Sequence, residues 1–326
     1  MSLLTERDAL VEELRRAEKL LLTTHENPDG DALGSLLGMH LVLEQLGKDS
    51  VMFLAANQFP LPYEYQRMRL DGVRHELPDD VSDRTIVFLD CGNIDRTPVH
   101  FLHGRHLHVL NIDHHHDNTR FGTVNLVVPE ASCAAEIVYD LAKELGVEIT
   151  PDLAEALYIG LVTDTGKFMF ENTTPESHQM AAELMDAGVQ AQKVHRMLYE
   201  ELPEARLQLL ARALNNVHRY DDGRITLTHL TRENFRESGA TESDSEGIVD
   251  HMRQVEGTVM ASLVRELLDK EGLRKVSLRA TDGRVDVSII ARGLGGGGHR
   301  QAAGFTTDIP FDALVERLRA ELAAQL

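Results

Sequence analysis

Short apolar runs alternate with segments of helical periodicity along the first half of the chain. The apolar runs predict strands at 19–25, 50–56, 85–91, 106–113 and 123–128. Apolar residues recurring every three or four positions predict helices at 32–48, 132–146, 151–166 and 176–188. Strands that alternate with helices indicate an α/β domain whose mainly parallel sheet is flanked by helices.

The second half changes character. Residues 194–220 show helical spacing broken only by Pro203, which predicts a helical connector, and the polar segment 238–250 predicts a loop. Alternating patterns then predict strands at 258–267, 275–283 and 284–293, with a turn at Asp282-Gly283, before a helix at 311–325. We therefore expect a domain at 1–190, a connector at 191–220 and a smaller α+β domain at 221–326.

The composition is that of an ordinary globular protein. The 326 residues are 42% hydrophobic and 26% charged, and no uninterrupted apolar stretch is long enough to span a membrane. The first residues are amphipathic and acidic, without the apolar core of a signal peptide, so a cytoplasmic location is expected. Two cysteines, Cys91 and Cys133, are too few for a disulfide framework and are expected to be buried and reduced.

The net charge of −20 argues against a protein that wraps long duplex DNA. The acidic excess lies in the first 250 residues, because residues 251–326 are close to neutral. A small anionic ligand remains compatible with this charge if metal ions neutralise one wall of the site and local arginines the other.

Acids and histidines follow several of the predicted strands. His25, Asp29 and Asp31 come after the first strand, Asp90 ends the third, and the triplet Asp113-His114-His115 ends the fourth. Asp164 lies in or just after the helix predicted at 151–166. Since the carboxyl ends of parallel strands share one edge of a sheet, these side chains can converge there despite their separation in sequence.

Such a cluster of carboxylates needs positive charge to be stable. Two divalent cations balance four carboxylates, and the mixture of imidazole and carboxylate ligands suits Mn²⁺, Fe²⁺, Co²⁺ or Zn²⁺ better than Ca²⁺. Two metals about 4 Å apart can clamp both the attacking and the leaving oxygen of a phosphoryl group. Taken singly, an aspartate such as Asp90 is more often a cap or turn residue, and a lone histidine is more often structural.

A glycine run near the C-terminus offers a second candidate site. Residues 295–298 are all glycine, and His299, Arg300 and a predicted helix start at 302–304 follow. Glycines let backbone N–H groups approach a phosphate, although a flexible hinge is an equal alternative. Arg279, on the strand predicted at 275–283, could contact a terminal phosphate or simply be an exposed strand arginine.

These motifs resemble those of the DHH phosphoesterase superfamily, which is named for the triplet seen here at 113–115. The run at 295–304 resembles the signature of the DHH-associated C-terminal domain, so the resemblance covers nearly the whole chain. The layout is similar to that of the bacterial nanoRNase / 3′-phosphoadenosine 5′-phosphate (pAp) phosphatase branch of this family.

The resemblance implies roles for the matched residues. One metal would be held by His25, Asp29 and Asp90, and a second by Asp31, Asp90, His114 and Asp164, with Asp90 bridging; Mn²⁺ is the expected metal. His115 would contact the scissile phosphate or assist the leaving oxygen, and Asp113 would orient the histidines. Asn118, Gly296, Gly297, Gly298 and His299 would contact substrate, whereas His116 has no assigned role and is expected to be solvated.

The activity that the resemblance implies is hydrolysis of single-stranded RNA or DNA oligonucleotides of roughly two to five nucleotides, releasing 5′-mononucleotides, and conversion of pAp to AMP. A phosphodiesterase of cyclic or linear dinucleotide messengers is the close alternative, and a non-catalytic nucleotide-binding regulator is a remote one. No G-x-G-x-x-G follows the first strand, which disfavours a dinucleotide-binding dehydrogenase. A homodimer is compatible with the sequence but not specified by it.

Overall fold

A computed structural model describes residues 3–97, 99, 107–298 and 300–326. The chain divides into two compact units, Met1–Glu201 and Leu202–Leu326. The division falls inside the predicted connector at 191–220, so the helices on either side of Pro203 belong to different units.

The first unit is built on a five-stranded, fully parallel sheet. Its strands are β1 (Lys19–Thr23), β2 (Asp49–Met52), β3 (Thr85–Leu89), β4 (Val109–Asp113) and β5 (Val124–Val127), in the spatial order β2-β1-β3-β4-β5. This confirms the fold class expected from the alternating pattern. Because β1, β3 and β4 are neighbours, the three chain segments that follow them leave the sheet side by side.

Six helices accompany this sheet: α1 (Leu3–Arg16), α2 (Gly30–Gln45), α3 (Ala134–Glu144), α4 (Pro151–Asp164), α5 (Pro175–Asp186) and α6 (Ala191–Tyr199). Alternate strand residues separate into two cores. Leu20, Leu22 and Val87 pack with the buried faces of the helices, whereas Leu21 and Phe88 join a smaller cluster on the opposite face. Burial of both faces explains why the strands appear as continuous apolar runs.

Helices α2 and α4 approach each other unusually closely, through glycines spaced four residues apart on α2. A Cβ atom on Gly34 would lie 2.5 Å from the Ala156 carbonyl oxygen, and one on Gly30 would lie 2.4 Å from Thr163 Oγ1. On the opposing helix, a Cβ on Gly160 would lie 2.9 Å from Asp31 Oδ1. The backbones can pack this tightly only because these positions lack side chains.

The second unit contains a six-stranded mixed sheet in the order β10-β11-β9-β8-β7-β6. Its strands are β6 (Val217–Tyr220), β7 (Ile225–Leu230), β8 (Met260–Glu266), β9 (Arg274–Ala280), β10 (Gly297–Gly298) and β11 (Ala302–Thr307). Its helices are α7 (Glu204–Asn215), α8 (Arg232–Ser238), α9 (Ile248–Arg253), α10 (Val287–Gly293) and α11 (Phe311–Ala323). The pairing of β7 with β8 is parallel, and the other neighbours are antiparallel.

Four local predictions for this half are wrong. The segment 284–293, predicted as a strand, forms α10, because Val287, Ile290 and Ala291 are buried at helical spacing while Ile289 is exposed. Residues 302–304, predicted to start a helix, begin β11, which pairs with β9 along its whole length. The end of the predicted connector is β6, and the predicted loop at 238–250 contains a 3₁₀ turn and the start of α9.

Within the described ranges, none of the helices combines the length and the apolar character needed to cross a bilayer. Cys91 and Cys133 are both buried and unpaired, as the sequence predicts.

Candidate metal centre

The predicted strand-end residues lie at the carboxyl edge of the parallel sheet. His25 follows β1, Asp90 immediately follows β3, and Asp113 ends β4 with His114 and His115 directly after it. The first turn of α2 adds Asp29 and Asp31, and the last residue of α4 is Asp164. The fold thus brings together the six predicted metal ligands from four separate segments.

Asp29 and Asp31 are fixed by helix termini. Asp29 is the N-cap of α2, and its Oδ1 accepts hydrogen bonds from the backbone N–H groups of Asp31 and Ala32. The carboxylate of Asp31 is buried and accepts bonds of 2.7 and 2.9 Å from the first N–H groups of α3, at Ala134 and Ala135. Each acid therefore stabilises a helix N-terminus while one side of its carboxylate faces the cluster.

Asp90 occupies the centre of the cluster. Its backbone is left-handed, with φ of 53°, a conformation that aspartate tolerates better than most side chains do. Its Oδ2 lies 3.5 Å from His25 Nε2, and its Oδ1 lies 3.6 Å from His114 Nε2. Although buried, Oδ1 has no hydrogen-bond partner among the described residues, which is costly unless a further positive group binds there.

Three overlapping groups of donor atoms fit a metal ion. They are His25, Asp29 and Asp90; Asp31, His114 and Asp164; and Asp90, His114 and His115. Within each group the donor atoms lie within 4.8 Å of one another. The sharing of Asp90 and His114 between groups is the arrangement expected where neighbouring cations have common ligands, and the nitrogen and oxygen donors suit first-row divalent metals.

His25 is held in the orientation that a metal ligand requires. Its Nδ1 lies 2.7 Å from the Glu26 carbonyl oxygen and 3.0 Å from Arg96 Nη2. Only one of these contacts is a hydrogen bond in a given tautomer, and a metal on Nε2 selects the one in which Nδ1–H donates to Glu26. Arg96 then brings a positive charge beside the cluster, six residues after Asp90.

His115 is oriented by a short chain of polar side chains. Its Nδ1 donates to Asp113 Oδ1 at 2.8 Å, and Asn118 Nδ2 donates to Asp113 Oδ2 at 2.5 Å. Asp113 is completely buried, so these two partners satisfy a carboxylate that water does not reach. Asp113 therefore orients His115 through a hydrogen bond, and Asn118 in turn orients Asp113.

Burial and mutual repulsion raise the pKa values of Asp31 and Asp164, whereas a neighbouring histidine lowers that of Asp90. Burial, with the charges of Asp90 and Asp164, raises the pKa of Asp31 well above its usual range. Burial also raises the pKa of Asp164, to about 6. Burial opposes ionisation of Asp90 as well, but the hydrogen bond and charge of His25 outweigh it and lower the pKa of Asp90.

The pKa of His115 also departs from its ordinary value. Burial favours the neutral ring, but the hydrogen bond and charge of Asp113 and the charge of Asp90 outweigh it and raise the pKa to about 9. Without metal, this side chain is therefore a cation at neutral pH. A protonated imidazole so placed can donate a proton to an oxygen that gains negative charge.

A further residue at the site, Asn172, was not predicted from the sequence. Its Nδ2 donates to both the carbonyl oxygen and Oδ2 of Asp164, at 3.2 and 3.0 Å, and to the Ser132 carbonyl oxygen at 2.8 Å. Asn172 thus fixes the carboxylate of Asp164, the last residue of α4. Both Asn172 and Arg96 are recognisable only in three dimensions, because neither belongs to a motif of acids and histidines.

We expect Asn172→Ala to weaken Mn²⁺ binding about 10-fold, because Asp164 loses the donor that orients its carboxylate. Titration calorimetry with Mn²⁺ measures this affinity. Asn125→Ala is the matched control, since the Asn125 side chain hydrogen-bonds with Gly122 alone among the described residues. Equal affinities for the two variants would contradict the orienting role.

The predicted substrate-binding residues of the second unit differ in their surroundings. The Nε atom of Arg279 lies 3.3 Å from Asp250 Oδ1, so its charge is already partly paired. Gly296 is required for packing, because a Cβ there would lie 2.1 Å from the Gly304 carbonyl oxygen. Gly298 has φ of 133°, whereas a Cβ on Gly297 would meet no atom within 4 Å.

Two predicted positions remain. His116 is exposed, as the sequence predicts. His299 lies outside the described residues, so its expected contact with phosphate stays a prediction.

Comparison with known proteins identifies the family. The sequence model of the DHH family, N-terminal domain, matches residues 19–161, and that of the DHHA1 domain matches residues 225–324. The bifunctional oligoribonuclease and PAP phosphatase NrnA of Thermus thermophilus is 36% identical over 97% of this chain and 95% of its own. The protein of the same name from Bacillus subtilis is 26% identical over 90% of this chain and 91% of its own.

A solved structure supports the same assignment. The exopolyphosphatase-related protein from Bacteroides fragilis superposes with a TM-score of 0.89 at 25% identity, covering 98% of this chain and 96% of its own. The matches extend through both units and include the segments that carry the acidic and histidine cluster. The chain therefore belongs to the DHH phosphoesterase family and carries a DHHA1 domain in its second half.

Proposed function

We propose that this enzyme hydrolyses oligonucleotides of a few residues to 5′-mononucleotides and removes the 3′-phosphate of pAp to give AMP. The names of the Thermus and Bacillus relatives, each an oligoribonuclease and PAP phosphatase, support these substrates. The observation that carries the proposal is the central position of Asp90, whose buried, unpartnered oxygen lies among three groups of metal-binding atoms.

Two divalent cations, most suitably Mn²⁺, complete the proposed site. His25, Asp29 and Asp90 would hold one, and Asp31, Asp90, His114 and Asp164 would hold the other. When bound, the ions supply Lewis acidity and a nucleophilic hydroxide at neutral pH. The chain's own contribution is to fix the ligands before substrate arrives, through the caps of α2 and α3 and through Asn172.

His115 is the proposed general acid. Its Nδ1 is occupied by Asp113, so Nε2 is the atom that can donate a proton to the leaving oxygen. In the metal-free protein, the hydrogen bond and charge of Asp113 raise the pKa of His115 and so favour the protonated ring. Asp113 acts through His115 as a positioning residue, and Asn118 supports Asp113. Asn118 would contact a substrate by exchanging one of its present hydrogen bonds.

Substrate phosphates are proposed to contact the second unit through Arg279, Gly296, Gly297, Gly298 and His299. Arg279 can do so only by exchanging its ion pair with Asp250, which is partly exposed, for a phosphate oxygen. In this proposal residues 1–190 form the catalytic domain, 191–220 the connector and 221–326 the substrate-binding domain. A cytoplasmic location and a homodimer are further expectations from the sequence.

A substrate panel tests the proposed function. The purified protein with Mn²⁺ is given pAp, a linear dinucleotide, a five-nucleotide RNA, a 24-nucleotide RNA and cyclic di-AMP, and the products are resolved by length. We expect rapid turnover of pAp and the short linear substrates and slow turnover of the long RNA. Preference for cyclic di-AMP would replace the proposal with a messenger phosphodiesterase, and absence of turnover throughout would refute a catalytic role.

A further inference from the structure

Two apolar side chains are exposed in the segment that follows the candidate metal ligand Asp164. Met169 is 81% exposed and Phe170 is 52% exposed. The preceding residue, Phe168, instead stacks on His178. Exposing a phenylalanine and a methionine together has a cost in water, so their position needs an explanation.

The backbone that presents them is held in an uncommon conformation. Gly166, Lys167 and Phe168 all have positive φ, of 55°, 64° and 63°. Two non-glycine residues in this region are strained, and such strain persists only where surrounding contacts enforce it. Here the N–H groups of Met169 and Phe170 both donate to the Thr165 carbonyl oxygen at 3.0 Å, which fixes the turn.

The segment returns to the metal centre at its far end. Asn172 donates to the carbonyl oxygen and the carboxylate of Asp164, so residues 165–171 form a loop whose two ends meet at this ligand. Phe170 is two residues from Asn172, so its Cα lies within roughly 7 Å of the residue that touches Asp164. The exposed ring therefore lies on a loop that begins and ends at a candidate metal ligand.

The ring also has a defined orientation. An ideal Cβ on Gly166 would lie 2.5, 2.6 and 2.6 Å from Phe170 Cζ, Cε1 and Cε2. Nearly equal distances to three adjacent ring carbons mean that the face of the ring, not its edge, covers this glycine. One face is thus packed on the bare backbone of Gly166, and the 52% exposure belongs largely to the other.

We propose that the exposed face of Phe170 is a stacking platform for a nucleobase of the substrate, with Met169 as its apolar margin. This inference rests on the proposed function, because it assigns a base-binding role to the same site. A flat ring supported from behind matches the π-face that every base presents, and such stacking is tolerant of sequence. Two side chains are too small an area for a stable subunit interface, which buries about 800 Å² on each partner.

The test compares substrates with and without the base. Steady-state kinetics are measured with Mn²⁺ for a linear adenine dinucleotide and for the same dinucleotide lacking one base, using each of the two abasic positions. For wild type and for Phe170→Ala, Phe170→Tyr and Met185→Ala, KM and kcat are determined separately. Met185 is the matched control, because it is 50% exposed on α5 and lies outside this loop.

Phe170→Ala should raise KM for the intact dinucleotide by about 5- to 100-fold, the range for loss of one base-aromatic stack. The rise should vanish for one of the two abasic substrates, and Phe170→Tyr should restore KM. An equal rise in KM for the intact and both abasic substrates would overturn the proposal. It would also be overturned if Phe170→Ala dissociated a dimer in sedimentation and its effect on KM did not depend on the base. If wild type turns over no substrate at all, the proposed function fails first, and the two failures are thereby distinguished.

Discussion

Asp90→Asn should lower turnover of pAp by at least about 10³-fold, equivalent to about 4 kcal/mol of transition-state stabilisation. Asp90 belongs to two of the three metal-binding groups, so the substitution removes a negative ligand from both at once. Asparagine keeps the size of the side chain, and the loss therefore reports charge and coordination rather than a cavity. The measurement is phosphate release from pAp at saturating Mn²⁺.

Asp95→Asn provides the control for this substitution. Asp95 is exposed and lies five residues further along the same segment, so its replacement should leave turnover unchanged. Circular dichroism and thermal unfolding without metal should show both variants folded. Turnover by Asp90→Asn within a few fold of wild type would mean that Asp90 does not bridge the cations.

The second large effect concerns stability without metal. The pKa of Asp164 is raised by burial from 3.8 to about 6 in the folded protein, so the folded state binds this proton more tightly than the unfolded state. The stabilisation is therefore complete below about pH 4 and is lost as the pH rises to 6 and above. Relative to Asp164→Asn, metal-free wild type should lose about 2 kcal/mol of unfolding free energy between pH 4 and pH 7.

Urea unfolding in the presence of chelator, at several pH values, measures this difference. Added Mn²⁺ should make wild type the more stable of the two proteins at pH 7, because the ionised carboxylate then binds a cation that asparagine binds poorly. A difference between the two proteins that is independent of pH would show that Asp164 ionises in the folded protein as it does in water. If metal-free wild type became more stable relative to Asp164→Asn as the pH rises, the result would contradict repulsion among the acids.

The candidate site was largely predictable because its chemistry follows topology. His25 and Asp90 follow buried parallel strands and Asp113 ends one, and adjacent strands bring such residues to one edge. Asn172 and Arg96 were not predictable, since an amide or a guanidinium that orients a ligand has no sequence periodicity. The role of Phe170 depends on which face of a ring is covered, and only the folded backbone determines that.

The errors in the second unit have a similar cause. Val285, Val287 and Ile289 alternate with polar residues over too few positions to distinguish a strand from a helix. The Asp286 side chain accepts a bond from the Ser288 N–H and starts α10, a local interaction that outweighs the alternation. Small residues at 302–304 have no strong preference, and pairing with β9 decides their conformation.

The close contact between α2 and α4 has a consequence for metal selectivity. Asp31 is on the first turn of α2 and Asp164 is on the last turn of α4, so the glycines that allow the two backbones to touch also limit how far these ligands can separate. Large cations such as Ca²⁺ need longer bonds, more oxygen atoms and a coordination sphere that can expand. The absence of side chains at Gly30, Gly34 and Gly160 would then favour a smaller cation over calcium.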